Sequence, residues 1–114
     1  MSKERRFFSG LTELMILACL LQRPCYCYEI VKYINIYFDD EYKISQNTVY
    51  TAIYSLKDKK LIDEQNITVG KKRIRIYYNI LPEGKKYFEE YLKEYRANIG
   101  TVENVLKNSK KLIG

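Results

Sequence analysis

Histidine is absent from the 114 residues, and so is tryptophan. Without imidazole the chain lacks the commonest general base and the commonest metal ligand, which excludes histidine-dependent hydrolases. Cysteine is sparse and odd in number: Cys19, Cys25 and Cys27 make no disulfide framework, and without histidine they supply too few ligands for a tetrahedral zinc. They read as small apolar residues. The remaining carboxylates, tyrosines and cysteines form no nucleophile and base constellation, so no catalytic residue, metal or cofactor is expected. Long apolar runs are also missing. The longest, residues 14–21, is eight residues against the ~20 that cross a bilayer, so no membrane partner is expected and the chain is placed in the cytoplasm.

What is present is a basic, globular composition. The length suits one compact unit, with or without a projecting helix. Apolar residues make up 46% and charged residues 30%, enough to build a core and keep it soluble. Lysine and arginine number 20 against 14 acidic residues, a net charge of +6 that favours a polyanionic partner. The charge is segregated. Lys71, Lys72, Arg73 and Arg75 lie within five residues, whereas Asp39, Asp40 and Glu41 form an acidic knot.

Periodicity orders the chain. A basic arm, residues 1–10, carries Lys3, Arg5 and Arg6 and ends in Ser9 and Gly10, a helix start signal. Leu11, Leu14, Met15, Leu17, Ala18 and Leu21 then recur at helical steps, predicting a buried first helix from about Leu11 to Gln22, ended by Arg23 and Pro24. A second helix is expected from Tyr26 to about Phe38, with Cys27, Ile30, Val31, Ile34 and Phe38 inward. Lys43 and Ile44 read as a short extended stretch, and Ser45 as the N-cap of a third helix over about 45–58 whose buried face is Val49, Ile53 and Leu56. Its other face, Gln46, Asn47, Tyr50, Thr51 and Tyr54, is uncharged and rich in hydrogen-bonding groups.

From about residue 64 the period becomes two. Ile74, Ile76, Tyr78 and Ile80 share one face, and Arg73, Arg75, Tyr77 and Asn79 the other, of a hairpin whose tip is basic. Pro82 and Glu83 open a last helix. Along it Phe88, Leu92, Tyr95, Ile99, Val102, Leu106, Ser109 and Ile113 alternate four- and three-residue steps. That heptad spacing is a coiled-coil seam, longer than an 80-residue domain can cover. Gly100 is a candidate bend.

Helix, helix, extended stub, helix and basic hairpin form an α+β, mostly helical, winged helix-turn-helix with a long C-terminal dimerisation helix. The division expected is a DNA-binding domain at 1–81, with its wing over about 64–80, and a dimerisation helix at 82–114. Such a fold reads double-stranded DNA: short polar side chains of the third helix face base edges, while tip cations hold phosphates. The expected contacts are Ser45, Gln46, Asn47, Thr48, Tyr50, Thr51, Tyr54, Lys71, Lys72, Arg73 and Arg75. Asn47 either pairs with adenine through its amide or assists Ser45 in capping. The alternative is a winged-helix protein–protein interaction module that pairs through its long helix and does not bind DNA.

Three stretches carry a resemblance to the PadR-like transcriptional regulators. Pro24-Cys25-Tyr26-Cys27-Tyr28-Glu29-Ile30 resembles the family's Pro-x-Tyr-Gly-Tyr-Glu-Ile, and Ile44-Ser45-Gln46-Asn47-Thr48-Val49-Tyr50-Thr51 its Ile-Ser-x-Gly-Thr-Leu-Tyr-Pro. Residues 73–84, running through Tyr77-Tyr78-Asn79-Ile80-Leu81-Pro82-Glu83-Gly84, resemble its arginine-rich strand ending Tyr-Tyr-x-Leu-Thr-x-x-Gly. Cys27 and Asn47 replace glycines of the pattern, Thr51 a proline and Leu81 a threonine. The resemblance implies a regulator of the short form, homodimeric through its last helix, with Tyr50 anchoring a phosphate. The expected dimer interface is Phe88, Leu92, Tyr95, Ile99, Val102, Leu106 and Ile113. The resemblance also implies a small-molecule effector, and Leu14, Ala18, Tyr87, Tyr91 and Tyr95 are the expected cleft for a flat aromatic one.

Overall fold

The computed structural model describes residues 10–39 and 43–113, with side chains described through Ser109. The basic arm before Gly10, Asp40 and Glu41 of the acidic knot, and the Ile113 side chain lie outside the described parts. The head is built from α1 (Thr12–Leu20), β1 (Cys25–Tyr26), α2 (Cys27–Asn35), α3 (Gln46–Asp58), β2 (Ile62–Val69) and β3 (Arg73–Ile80), and one long helix, α4 (Pro82–Ile113), follows it. The sheet order is β1-β3-β2, antiparallel throughout, with Ile62 opposite Ile80 and Val69 opposite Arg73.

The core follows from apolar spacing. Ile16 and Leu17 of α1, Ile30 of α2, and Val49, Ile53 and Leu56 of α3 are fully buried together. Each such side chain contributes about 1.5–3 kcal/mol relative to exposure. Helix α2 opens where Glu29 accepts the Tyr26 backbone N–H at 3.2 Å, the glutamate half of a capping box, and Glu29 also pairs with Arg23 at 3.1 Å. Ser45 caps α3 by accepting the Thr48 N–H at 3.1 Å. The same helix ends in a Schellman motif: Leu61 N–H reaches the Leu56 carbonyl and Lys60 N–H the Lys57 carbonyl, with Lys60 at φ +61°.

Several expectations change in detail. The extended stub at Lys43 and Ile44 is not a strand; both backbone groups of Ile44 bond to the Asn35 side chain instead. The third strand is Cys25–Tyr26, which pairs with Tyr78 and Tyr77 of β3, so α2 begins at Cys27 and ends at Asn35, short of Phe38. Helix α1 is likewise shorter than expected at both ends. Of the apolar wing face, only Tyr78 is buried; Ile74 and Ile76 are 64% and 41% exposed because the hairpin extends past the helices. Helix α4 continues unbroken through Gly100.

Gly84 fixes how α4 leaves the head. A Cβ there would lie 2.2 Å from the Leu61 carbonyl oxygen, which already accepts the Leu81 N–H at 2.9 Å. Tyr87 and Phe88 pack against the core, and the helix then projects away from it. Its 32 residues span about 48 Å at the α-helical rise. The molecule is accordingly 67 Å long, with a radius of gyration of 17.0 Å, against about 13 Å for a compact chain of 100 residues.

Candidate nucleic-acid interface

Helix α3 and strand β3 form the two walls of a cleft of about 240 Å³, and the start of α2 forms its floor. Gln46 and Tyr50 line the α3 side, Ile74, Arg75 and Ile76 the wing side, and Cys27 the floor. Burial raises the Tyr50 pKa, and its hydroxyl interacts with the Cys27 thiol and the Gln46 amide. Cys27, standing where the family pattern has glycine, therefore closes the cleft beneath Tyr50.

The polar residues of α3 divide into two groups. Ser45 and Thr48 are tied to each other, Oγ to Oγ1 at 2.9 Å, as well as through the cap. Asn47, Thr51 and Tyr54 stand exposed one turn apart. The Thr51 hydroxyl donates to the Asn47 carbonyl at 3.0 Å, which uses its proton and leaves its oxygen free to accept. Asn47 takes no part in the cap among the described residues. Tyr54 lies beneath Lys57, whose ammonium is 5.7 Å from the ring centre and pairs with Glu64 of β2.

The wing cations also divide. Lys71, Lys72 and Arg73 are exposed around the turn, where Gly70 takes φ +67°. Arg75 is half-buried, its guanidinium carbon 4.5 Å from the centre of the Tyr26 ring. Tyr26 is itself edge-on to Tyr77 at 5.4 Å. This side of the wing is a stack of rings ending in a cation.

The seam residues change character along α4. Phe88, which packs on the head, Leu92 and Tyr95 are half-buried, whereas Ile99, Val102 and Leu106 are exposed, the last two by more than half. Val105, which periodicity did not single out, is exposed at 64% and borders the same stripe. At the head end, Leu14 is buried in the core and Ala18 half-buried. Tyr87 and Tyr91 meet edge-on at 5.8 Å. The Lys59 ammonium lies 5.4 Å from the Tyr87 ring centre, donates to its hydroxyl at 3.4 Å, and pairs with Glu13 at 2.9 Å. Glu13 also accepts from Ser55 at 3.0 Å. This junction of α1, α3 and α4 is a polar latch that sequence spacing did not indicate. No described helix is long and apolar enough to cross a membrane.

A capped helix beside a three-stranded sheet whose hairpin projects a cationic tip defines the winged helix-turn-helix class. The chain belongs to the transcriptional regulator PadR-like family, whose profile matches residues 16–90. It is 30% identical to a transcriptional regulator from Clostridium thermocellum, covering 91% of this chain and 96% of that one, with a TM-score of 0.78. A PadR family transcription regulator from Clostridium difficile is 26% identical over 85% of this chain and 99% of its own, with a TM-score of 0.73. The fold is also shared with Bacillus subtilis PadR, solved in complex with operator DNA, at 19% identity, 72% and 47% coverage and a TM-score of 0.63.

Proposed function

We propose that the protein is a sequence-specific DNA-binding repressor that works in the cytoplasm as a homodimer on a pseudo-palindromic operator. The observation that carries this reading is the cleft, which brings Gln46 and Tyr50 of α3 opposite Arg75 of the wing; Asn47, Thr51 and Tyr54 stand exposed on the same helix, and Lys71, Lys72 and Arg73 at the tip of the same hairpin. Asn47, Thr51 and Gln46 are the base-reading residues, Ser45 and Thr48 hold the helix start, and Tyr50 and Tyr54 sit where phosphates pass. Thr51, with its proton committed to Asn47, offers an acceptor and a methyl, which favours an exocyclic amine or a thymine methyl. Lys71, Lys72, Arg73 and Arg75 neutralise phosphates.

The exposed apolar stripe of α4 supports the second half of the reading. Ile99, Val102, Val105 and Leu106 leave an apolar stripe on a projecting helix, and an identical stripe antiparallel or parallel to it is the self-complementary solution. Phe88, Leu92 and Tyr95 continue the seam toward the head, and heptad spacing in the sequence assigns Ile113 to its far end. An aromatic effector is placed beside α1 and the Tyr87, Tyr91, Tyr95 row, where it would compete with Lys59 for the Tyr87 hydroxyl and shift the heads relative to the seam.

Retention on duplex DNA against increasing salt, with light scattering of the same sample, tests the proposal. A steep salt dependence by a species of twice the chain mass is the expected result. A protein that shows no salt-dependent retention favours an interaction module that pairs with another protein through its long helix, where Ile99, Val102, Val105 and Leu106 stand exposed.

A further inference from the structure

Cys19 at the end of α1 and Cys25 in β1 flank the exposed turn 21–24, and both side chains are buried. Their sulfurs are 3.8 Å apart, with the Cys19 thiol donating to Cys25 and the Cys25 thiol donating to the Arg23 carbonyl at 3.4 Å. A disulfide needs about 2.05 Å, so bonding requires the two sulfurs to approach by about 1.8 Å. That approach draws on a strand of only two residues, Cys25 and Tyr26. Tyr26 is both the N-cap of α2 and the ring on which Arg75 rests.

We propose that Cys19 and Cys25 form a redox-responsive dithiol, closed to a disulfide by a hydroperoxide, that displaces Tyr26 and with it the Arg75 side of the wing. The effect on DNA rests on the reading given under Proposed function; closure of the disulfide does not.

The two thiols have different roles. Burial raises the Cys25 pKa, and the hydrogen bond from the Cys19 thiol and the nearby Arg23 cation hold that rise down, so Cys25 is the more acidic of the two. Cys19, pushed up to about 12 chiefly by burial, keeps its proton. Cys25 gives its proton to water and the thiolate so formed attacks the peroxide: a sulfur–oxygen bond forms, the oxygen–oxygen bond breaks, and the departing alkoxide or hydroxide takes a proton back from water. Cys19 sulfur then attacks the sulfenic sulfur. A sulfur–sulfur bond forms, the sulfur–oxygen bond breaks, and water leaves with the Cys19 proton. Two thiols lose two electrons and the peroxide gains them.

The full chain treated with hydrogen peroxide under native conditions tests this. It should lose the mass of two hydrogen atoms, and alkylation after unfolding should place a single label, on Cys27, within tryptic peptide 7–32, which Arg23-Pro24 keeps intact. Tryptic cutting at Lys71–Arg73 should change rate, and retention on sheared duplex DNA should weaken by about tenfold, the scale of ordinary coupling, both recovering with dithiothreitol. Reciprocity then makes the DNA-bound dithiol harder to oxidise by about 30 mV. Cys19→Ser and Cys25→Ser should each keep reduced-state retention and lose the response. Three alkylatable thiols after peroxide overturn the dithiol. A disulfide that leaves wing-tip cutting unchanged overturns its coupling to the wing. A reduced chain that ignores DNA while cutting at the tip still responds to peroxide overturns the DNA reading alone.

Discussion

Asn35 and Ile44 are joined by two hydrogen bonds across the helix-turn-helix corner: the Asn35 amide donates to the Ile44 carbonyl at 3.0 Å and its oxygen accepts the Ile44 N–H at 2.8 Å. One side chain thus does for Ile44 what a neighbouring strand would do, and Ile44 itself is buried just before the Ser45 cap. Replacing Asn35 by Leu strands two backbone groups at a cost of about 2 kcal/mol. Asn35→Asp, which keeps the acceptor and loses the donor, should fall between. Urea melts of the two variants check the order, and an Asn35→Leu protein as stable as the parent refutes the role.

That pair also marks the boundary of what the sequence discloses. Val49, Ile53 and Leu56 are legible as a buried face because burial of a helix repeats with its turn, whereas the period of two discloses β3 as a strand but not its burial, since of its apolar face only Tyr78 is buried. The apolar stripe of α4 follows from helical spacing too. Asn35 is not legible, because a side chain that substitutes for a strand leaves no period. Strand β1 is too short to have one, and it borrows its partner from residues 77 and 78. The division of the α3 residues between capping, at Ser45 and Thr48, and outward display, at Asn47 and Thr51, depends on rotamers that residue type alone does not specify. The same holds for the Glu13–Lys59–Tyr87 latch, whose members come from three distant helices.

Gly84→Ala tests the exit of the long helix. Its Cβ would meet backbone rather than a flexible side chain, so α4 must shift off the head, and a loss of about 3 kcal/mol is expected from the overpacking. Thermal unfolding measures it. An alanine variant within experimental error of the parent contradicts the close approach.

Two substitutions should stabilise. Lys60 holds a left-handed conformation that costs a side-chain-bearing residue about 1 kcal/mol, so Lys60→Gly should recover most of that. Gly100 lies inside α4 with nothing within 4 Å of an added Cβ, and Gly100→Ala should add up to about 1 kcal/mol through helix propensity. Denaturant midpoints of the single and double variants should be additive, because the two sites lie on separate elements and share no neighbour.

Alkaline pH should destabilise the protein through its buried thiols and phenol, all raised by burial, with Cys19 and Tyr78 displaced furthest. Burial pushes the Tyr78 hydroxyl from 10.0 up to about 12 and the Cys19 thiol from 9.0 up to about 12. Both hold their protons longer in the folded than in the unfolded chain, so their contribution is full below the ordinary values and is lost as pH rises through the folded ones. Thermal midpoints should therefore fall from pH 9 upward and more steeply above 10. Tyr78→Phe should flatten the part above 10, and Cys19→Ala the part beginning at 9. Parallel curves for parent and variants would disprove the assignment.

Wing cations should separate by how they are held. Lys71 and Lys72 stand exposed at the tip, so Ala at either position should weaken binding to all sequences alike and lower the salt slope by about one unit for each phosphate left without its cation in a half-site. Arg75 is fixed by the Tyr26 ring, and its planar guanidinium stacks where an ammonium does not. Arg75→Lys keeps the charge and should keep the slope, yet lose affinity because the cation is no longer oriented before DNA arrives. Tyr26→Leu, which removes the ring and leaves the arginine, should reproduce that loss, and combining it with Arg75→Lys should add little. Titrations of one duplex at several salt concentrations read slope and affinity together. If Arg75→Lys binds as tightly as the parent, the stacking carries no weight and Arg75 is one more point charge on the wing.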